Sequence, residues 1–105
     1  MQEIRDKKTL KQIIRDVRTK LMVINFMKKS CPDCKRAKPE VERLALKFLD
    51  VVFVIIDVAE TPDIGNDFEI TEVPIFIFFK DELEVDRVTE ANVKLVEQKL
   101  QELCY

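Results

Sequence analysis

Histidine and tryptophan are absent from this sequence, and glycine occurs once, at Gly65. Without histidine there is no Cys–His or Ser–His couple for nucleophilic hydrolysis. A mononuclear zinc site normally takes four ligands from cysteine and histidine, and Cys31, Cys34 and Cys104 supply only three thiols. No metal site is therefore expected. A single glycine excludes a glycine-rich phosphate loop. No apolar run approaches the roughly 18 residues that a membrane span needs. Residues 1–8 are rich in charge and lack the apolar centre of a secretory signal. A cytoplasmic setting, or also a nuclear one, is the expectation, and thiols are kept reduced there. Charge of neither sign dominates: 18 Lys and Arg against 20 Asp and Glu give a net charge of −2. That balance offers no pull towards nucleic acid or an anionic membrane, and neither is expected as a partner.

What the chain does have is a regular exchange of hydrophobic periods over 105 residues, a length that favours one domain, 1–105, with one core. Leu10, Ile13, Ile14 and Val17 recur at helical spacing and predict an amphipathic helix over 8–19. Residues 21–27 form a near-continuous apolar run, as in a strand buried on both faces. Val41, Leu44, Ala45 and Phe48 give the next helix an inward stripe, which Pro39 should kink. Residues 51–58 are rich in β-branched side chains and predict another strand. Thr61-Pro62 reads as a cap and a first-turn proline opening a short helix. Residues 75–79 predict a third apolar strand, and Leu83–Val88 alternates as a fourth after a turn at Lys80-Asp81-Glu82. Thr89 is the expected cap of a last helix with Val93, Val96, Leu100 and Leu103 inward. A weak strand over 2–4 comes first. Strands alternating with helices imply parallel pairing, and the last two strands imply a hairpin. A mixed sheet of four or five strands, flanked by helices on both faces, follows.

The chemistry-bearing motif is Cys31-Pro32-Asp33-Cys34. Its thiols are spaced to close into a small disulfide ring, and the motif stands where an apolar strand gives way to a helix. Exchange needs a thiolate. A helix N-terminus favours that anion, as do Lys28, Lys29, Lys35, Arg36 and Lys38, while Asp33 opposes it. The basic cluster reads equally well as a solvated helix face. Cys104, close to the last residue, is expected to be incidental at a frayed end.

In these residues the chain resembles the thioredoxin family over nearly its whole length. Cys31 and Cys34 follow a buried strand, Lys35 and Pro39 follow the second cysteine, and Val73-Pro74 precedes the third long strand. The terminal strand–strand–helix unit also matches. The resemblance implies a thioredoxin fold, an α/β structure around a mixed sheet, and a thiol–disulfide oxidoreductase that reduces protein disulfides without a cofactor. Cys31 would attack, Cys34 would resolve, and a cis Pro74 would leave the backbone at Val73 open to the target chain. Disulfide-containing proteins, an upstream thioredoxin reductase and a monomeric state are implied with it. Pro32-Asp33 matches the C-P-D-C of a small thioredoxin-related subfamily at the level of the motif only.

The departures from the family pattern have physical content. Asn25 stands where the family usually has a buried Asp, and an amide cannot take a proton. Ser30 replaces the usual Trp. The glycines expected in the last hairpin and the loop after it are replaced by Leu83 and the Thr89-Glu90 region. These changes bear on substrate range more than on redox chemistry. They leave open a thioredoxin-fold adaptor with weak or lost activity. A glutaredoxin-like use of glutathione ranks last, because Ile75-Phe76-Ile77 follows Pro74 in place of Gly-Gly.

Overall fold

The computed structural model describes residues 1–89 and 91–104; Glu90 and Tyr105 lie outside the described residues. Along the chain the elements are β1 (Gln2–Glu3), α1 (Lys7–Asp16), β2 (Met22–Met27), α2 (Pro32–Lys47), β3 (Val52–Asp57), α3 (Pro62–Asp67), β4 (Ile75–Lys80), β5 (Leu83–Val88) and α4 (Val93–Leu103). The strands form one sheet in the order β1-β3-β2-β4-β5. β1, β2 and β3 are parallel, whereas β4 runs antiparallel to β2 and to β5. The alternation of strands with helices therefore implied parallel pairing correctly up to β3 and not beyond it. After α3 the chain re-enters the sheet from the end where β2 and β3 finish.

Period-2 alternation divides the core into two layers. Val23, Phe76 and Phe78 point to one face, where they pack with Ala37, Val41 and Leu44 of α2 and Val93, Val96 and Leu100 of α4. Met22, Ile24, Phe26, Ile75 and Ile77 point to the other, against Leu10 of α1 and Ile64 of α3. β2 and β4 are covered on both sides, which is why their sequences are apolar without a break. Asn25 shares the phase of Val23 and so faces the α2 side, beneath the start of that helix. No helix among the described residues is long and apolar enough to cross a membrane.

Four local expectations are corrected. Thr89 does not cap α4: Asn92 does, its side chain accepting the Leu95 N–H at 3.1 Å. Asn92 stands immediately before the first inward residue, Val93, which is where a cap has to be. Thr61 does stand at the N-cap of α3 with Pro62 in the first turn, and only its bonding differs: it makes no side-chain cap bond, its hydroxyl donating to the Asp57 carbonyl at 2.8 Å. Cys104 is not frayed: it ends α4 with its N–H on the Leu100 carbonyl and packs half-buried against the α2/α4 core. β5 does not alternate cleanly, because Phe78 pairs with Asp86 and Phe79 with Glu84, leaving Val85 as a bulge.

The β4–β5 turn is glycine-free yet uses left-handed backbone. Asp81 has φ 52° and Glu82 has φ 67°, the pair of positive angles of a type I′ hairpin. Asp tolerates this conformation, whereas Glu carries a side chain that clashes with its own carbonyl there. Glu82→Gly is expected to raise stability by roughly 0.5–1 kcal/mol, after the extra entropy of an unfolded glycine is subtracted. Urea denaturation checks it; an unchanged or lowered midpoint counts against strain at Glu82.

Candidate active site

β2 ends at Met27, and residues 28–30 carry the chain over the sheet edge to the first turn of α2. Pro32 takes the first helical position, where its missing N–H is not needed. Cys31 is the N-cap: its sulfur accepts the Cys34 amide N–H at 3.1 Å. A thiol that caps a helix stands against unpaired N–H groups and the positive end of the helix dipole. Cys31 is half-buried, and Cys34, which faces the sheet, is 7% exposed. All three cysteines are free thiols. Pro39 lies inside α2, which runs on to Lys47.

Burial pushes the Cys34 thiol up to about 11, with the Cys31 sulfur as its hydrogen-bond neighbour adding to the effect. A buried thiolate loses its hydration, so the neutral form is favoured. The two thiols thus occupy unlike surroundings: one caps a helix at the surface, the other is held protonated below it.

The loop before β4 completes the site. The Val73–Pro74 peptide bond is cis, Pro74 is buried, and the Cys31 thiol is directed at the Val73 carbonyl at 3.8 Å. Val73 borders a shallow recess of about 160 Å3 that also touches Lys28, Val58, Ile70, Thr71 and Glu72. Sequence reasoning named Val73 and Pro74 but not this recess. Its only signal was adjacency to Pro74, because Val58 comes from a distant part of the chain.

On the other side, Asn25, Lys35 and Cys34 meet in a second recess of about 200 Å3. Asn25 is 6% exposed. Asp33 sits on the exposed rim, and its carboxylate is paired with the Arg36 guanidinium one turn along α2. The charge expected to oppose a thiolate is therefore largely answered by its own helix. Lys29 is likewise engaged, by Glu60 at 2.6 Å. Glu60 is positioned by a turn the sequence did not reveal, in which the buried Asp57 carboxylate accepts the Ala59 N–H at 2.9 Å. Ser30 is exposed beside the motif, and Thr89 is exposed at the end of β5.

Comparison with known proteins places this arrangement. The family model described as Thioredoxin matches residues 2–102. Thioredoxin H2 of Arabidopsis thaliana is 36% identical over 84 residues, 80% of this chain and 63% of that protein. Thioredoxin H8 of the same plant is 41% identical over 81 residues, 77% of this chain and 55% of that protein. The chain thus spans less than two thirds of the length of these relatives. Among solved structures, Fasciola hepatica thioredoxin superimposes with a TM-score of 0.94 at 28% identity, covering 97% of this chain and 98% of its own. The family match spans the dithiol and the sheet that carries it, and this chain belongs to the thioredoxin family.

Proposed function

We propose that this chain is a thiol–disulfide oxidoreductase that reduces disulfides in protein targets. One observation carries the reading: a half-exposed thiol caps α2 beside the Val73 carbonyl, with a second thiol buried beneath it. Family membership supports the same activity. In the cycle, the Cys31 thiolate attacks one sulfur of a target disulfide, forms a mixed disulfide and releases the other target sulfur as a thiolate. The Cys34 thiolate then attacks the Cys31 sulfur. The mixed disulfide breaks, the second target sulfur leaves, and the pair of electrons has passed from the dithiol to the target.

The remaining residues take supporting roles. Val73 and Pro74 hold the target backbone beside Cys31. Pro32 starts the helix, and Asn25, Asp33 and Lys35 set the local field around the sulfurs. The exchange runs on sulfur alone and calls for no cofactor or metal. A dithiol reductant such as a thioredoxin reductase returns the Cys31–Cys34 disulfide to the reduced form. A monomer working in the cytoplasm, where disulfides are reduced, fits this direction of electron flow. The free and adjacent thiols lend no support to the adaptor alternative.

The test is reduction of insulin driven by dithiothreitol. The chain has no tryptophan to report on its own redox state, so turbidity is followed. Turnover well above background is expected, with Cys31→Ser falling to background. Equal turnover by the parent and the variant overturns the reading.

A further inference from the structure

The recess behind the dithiol has unsatisfied chemistry of three kinds. Asn25 is more than nine-tenths buried, lines the recess, and its Oδ1 has no hydrogen-bond partner among the described residues. A buried carbonyl without a donor keeps its desolvation cost uncompensated, so a donor from outside the chain is called for. Lys28, Lys35 and Lys38 line the same recess and are exposed, and no carboxylate pairs with them among the described residues. Their neighbours Lys29 and Arg36 are already engaged by Glu60 and Asp33. Lastly, the Cys34 thiol opens onto this space, and among the described residues that line it there is no carboxylate to take a proton, because Asn25 is an amide.

A carboxyl group answers all three needs in turn. As an anion it is drawn to the three ammonium groups. As a base it accepts a proton from sulfur. Once protonated, its O–H is a donor for Asn25 Oδ1. Sulfate or chloride would meet only the first need. Met27 and Ile55 give the recess an apolar wall suited to the hydrocarbon stem of an acidic side chain. Its volume, about 200 Å3, exceeds by far the roughly 10–15 Å3 that admits a water.

We propose that this recess is a carboxylate site, and that a carboxyl group from outside the chain accepts the Cys34 proton there during resolution. The proposal rests on the disulfide-exchange reading above. The step balances as follows. The Cys34 S–H bond breaks and the carboxylate becomes a carboxylic acid, leaving the Cys34 thiolate. The thiolate forms a bond to the Cys31 sulfur as the Cys31–target S–S bond breaks. The departing target thiolate takes the proton from the acid, which restores the carboxylate. An Asp or Glu side chain of the bound target is one source of the carboxylate, and a free small acid is the other.

Stopped-flow reaction of reduced Cys104→Ser protein, in which the third free thiol is removed, with 2,2′-dithiodipyridine separates the steps, since each releases one pyridine-2-thione. Acetate is the probe, with chloride at equal ionic strength as control. Acetate is expected to accelerate the second release saturably, on the order of tenfold, and to leave the first unchanged. Saturation should vanish in Lys35→Gln/Lys38→Gln and persist in Lys94→Gln on the exposed side of α4. Far-UV circular dichroism is the check that each variant is folded. Two disulfide-linked peptides that differ by Glu→Gln beside the cysteine distinguish the sources. Faster resolution with the Glu peptide identifies the target as the donor of the carboxylate. Equal rates with a retained acetate effect identify a free acid. The proposal is overturned if acetate matches chloride and the two peptides resolve alike, or if the double lysine variant responds to acetate as the parent does. It is also overturned if Glu42→Gln, removing the carboxylate that adjoins Lys38 in the neighbouring recess, slows resolution when no acetate is present. Loss of the second release at every pH would instead remove the oxidoreductase reading itself.

Discussion

Replacing Cys34 with serine is expected to stop turnover and convert the protein into a trap for its targets. In the proposed cycle the first exchange step uses Cys31 alone, whose place at the start of α2 depends on backbone geometry rather than on the Cys34 sulfur. Serine is close to cysteine in size, so a site that is 7% exposed accepts it without a large cavity. The second step, however, loses its nucleophile, since a neutral hydroxyl does not attack a disulfide under these conditions. Cys104 offers no substitute. It ends α4, packs against the α2/α4 core and borders neither recess beside the dithiol. Insulin reduction should therefore fall to the rate of dithiothreitol alone. With prereduced protein and no dithiothreitol present, a one-to-one mixed disulfide should accumulate on non-reducing gels, and it should disappear on adding excess dithiothreitol. Sustained turnover by Cys34→Ser would show that an external thiol resolves the complex and that Cys34 is dispensable.

The contrast between the two cysteines shows how far the sequence could be read. The C-x-x-C spacing, the apolar run before it and the amphipathic run after it are local patterns, and each survives in the folded chain. So do the two-sided burial of β2 and β4 and the inward stripe of α4, because burial on a regular element leaves a period in the sequence. Four things left no such trace. The direction of β4 depends on which end of the sheet the chain re-enters after α3. The left-handed Asp81-Glu82 turn lacks the glycine that announces it elsewhere. The Asp33–Arg36 pair depends on side-chain choice among several available ions. The recess that joins Asn25, Cys34 and Lys38 depends on how α2 sits above β2. Asn25 was legible as a departure from a family pattern, but its unpartnered carbonyl is a property of the packed interior.

The same packing sets the pH dependence of resolution, where the expected effect is large. Burial disfavours the charged form of a thiol, and Cys34 is pushed up to about 11 with burial as the leading cause. The second cause is the neighbouring Cys31 sulfur. In the mixed disulfide Cys31 no longer carries a thiol, so that contribution falls away while burial remains. The resolving thiol should then titrate above the ordinary value of 9.0 and below about 11. The reactive thiolate is a minor species throughout the neutral range, and its fraction rises about tenfold for each pH unit. Measured in amine buffers with chloride and no carboxylate, the second thione release should accelerate by about three orders of magnitude over three pH units from about pH 6, without levelling off. A plateau below about pH 8 would mean that Cys34 is far less protonated in the complex than its burial requires. Stability should carry the matching sign. The folded chain holds the Cys34 proton more tightly than the unfolded chain, so this contribution is complete below about pH 9 and is lost as pH rises towards 11. Cys34→Ser, which has no thiol to titrate at that position, should show a shallower alkaline decline than the parent. Concordance of the kinetic and stability profiles would tie the slow resolving step to one cause, the desolvation of Cys34 against the sheet.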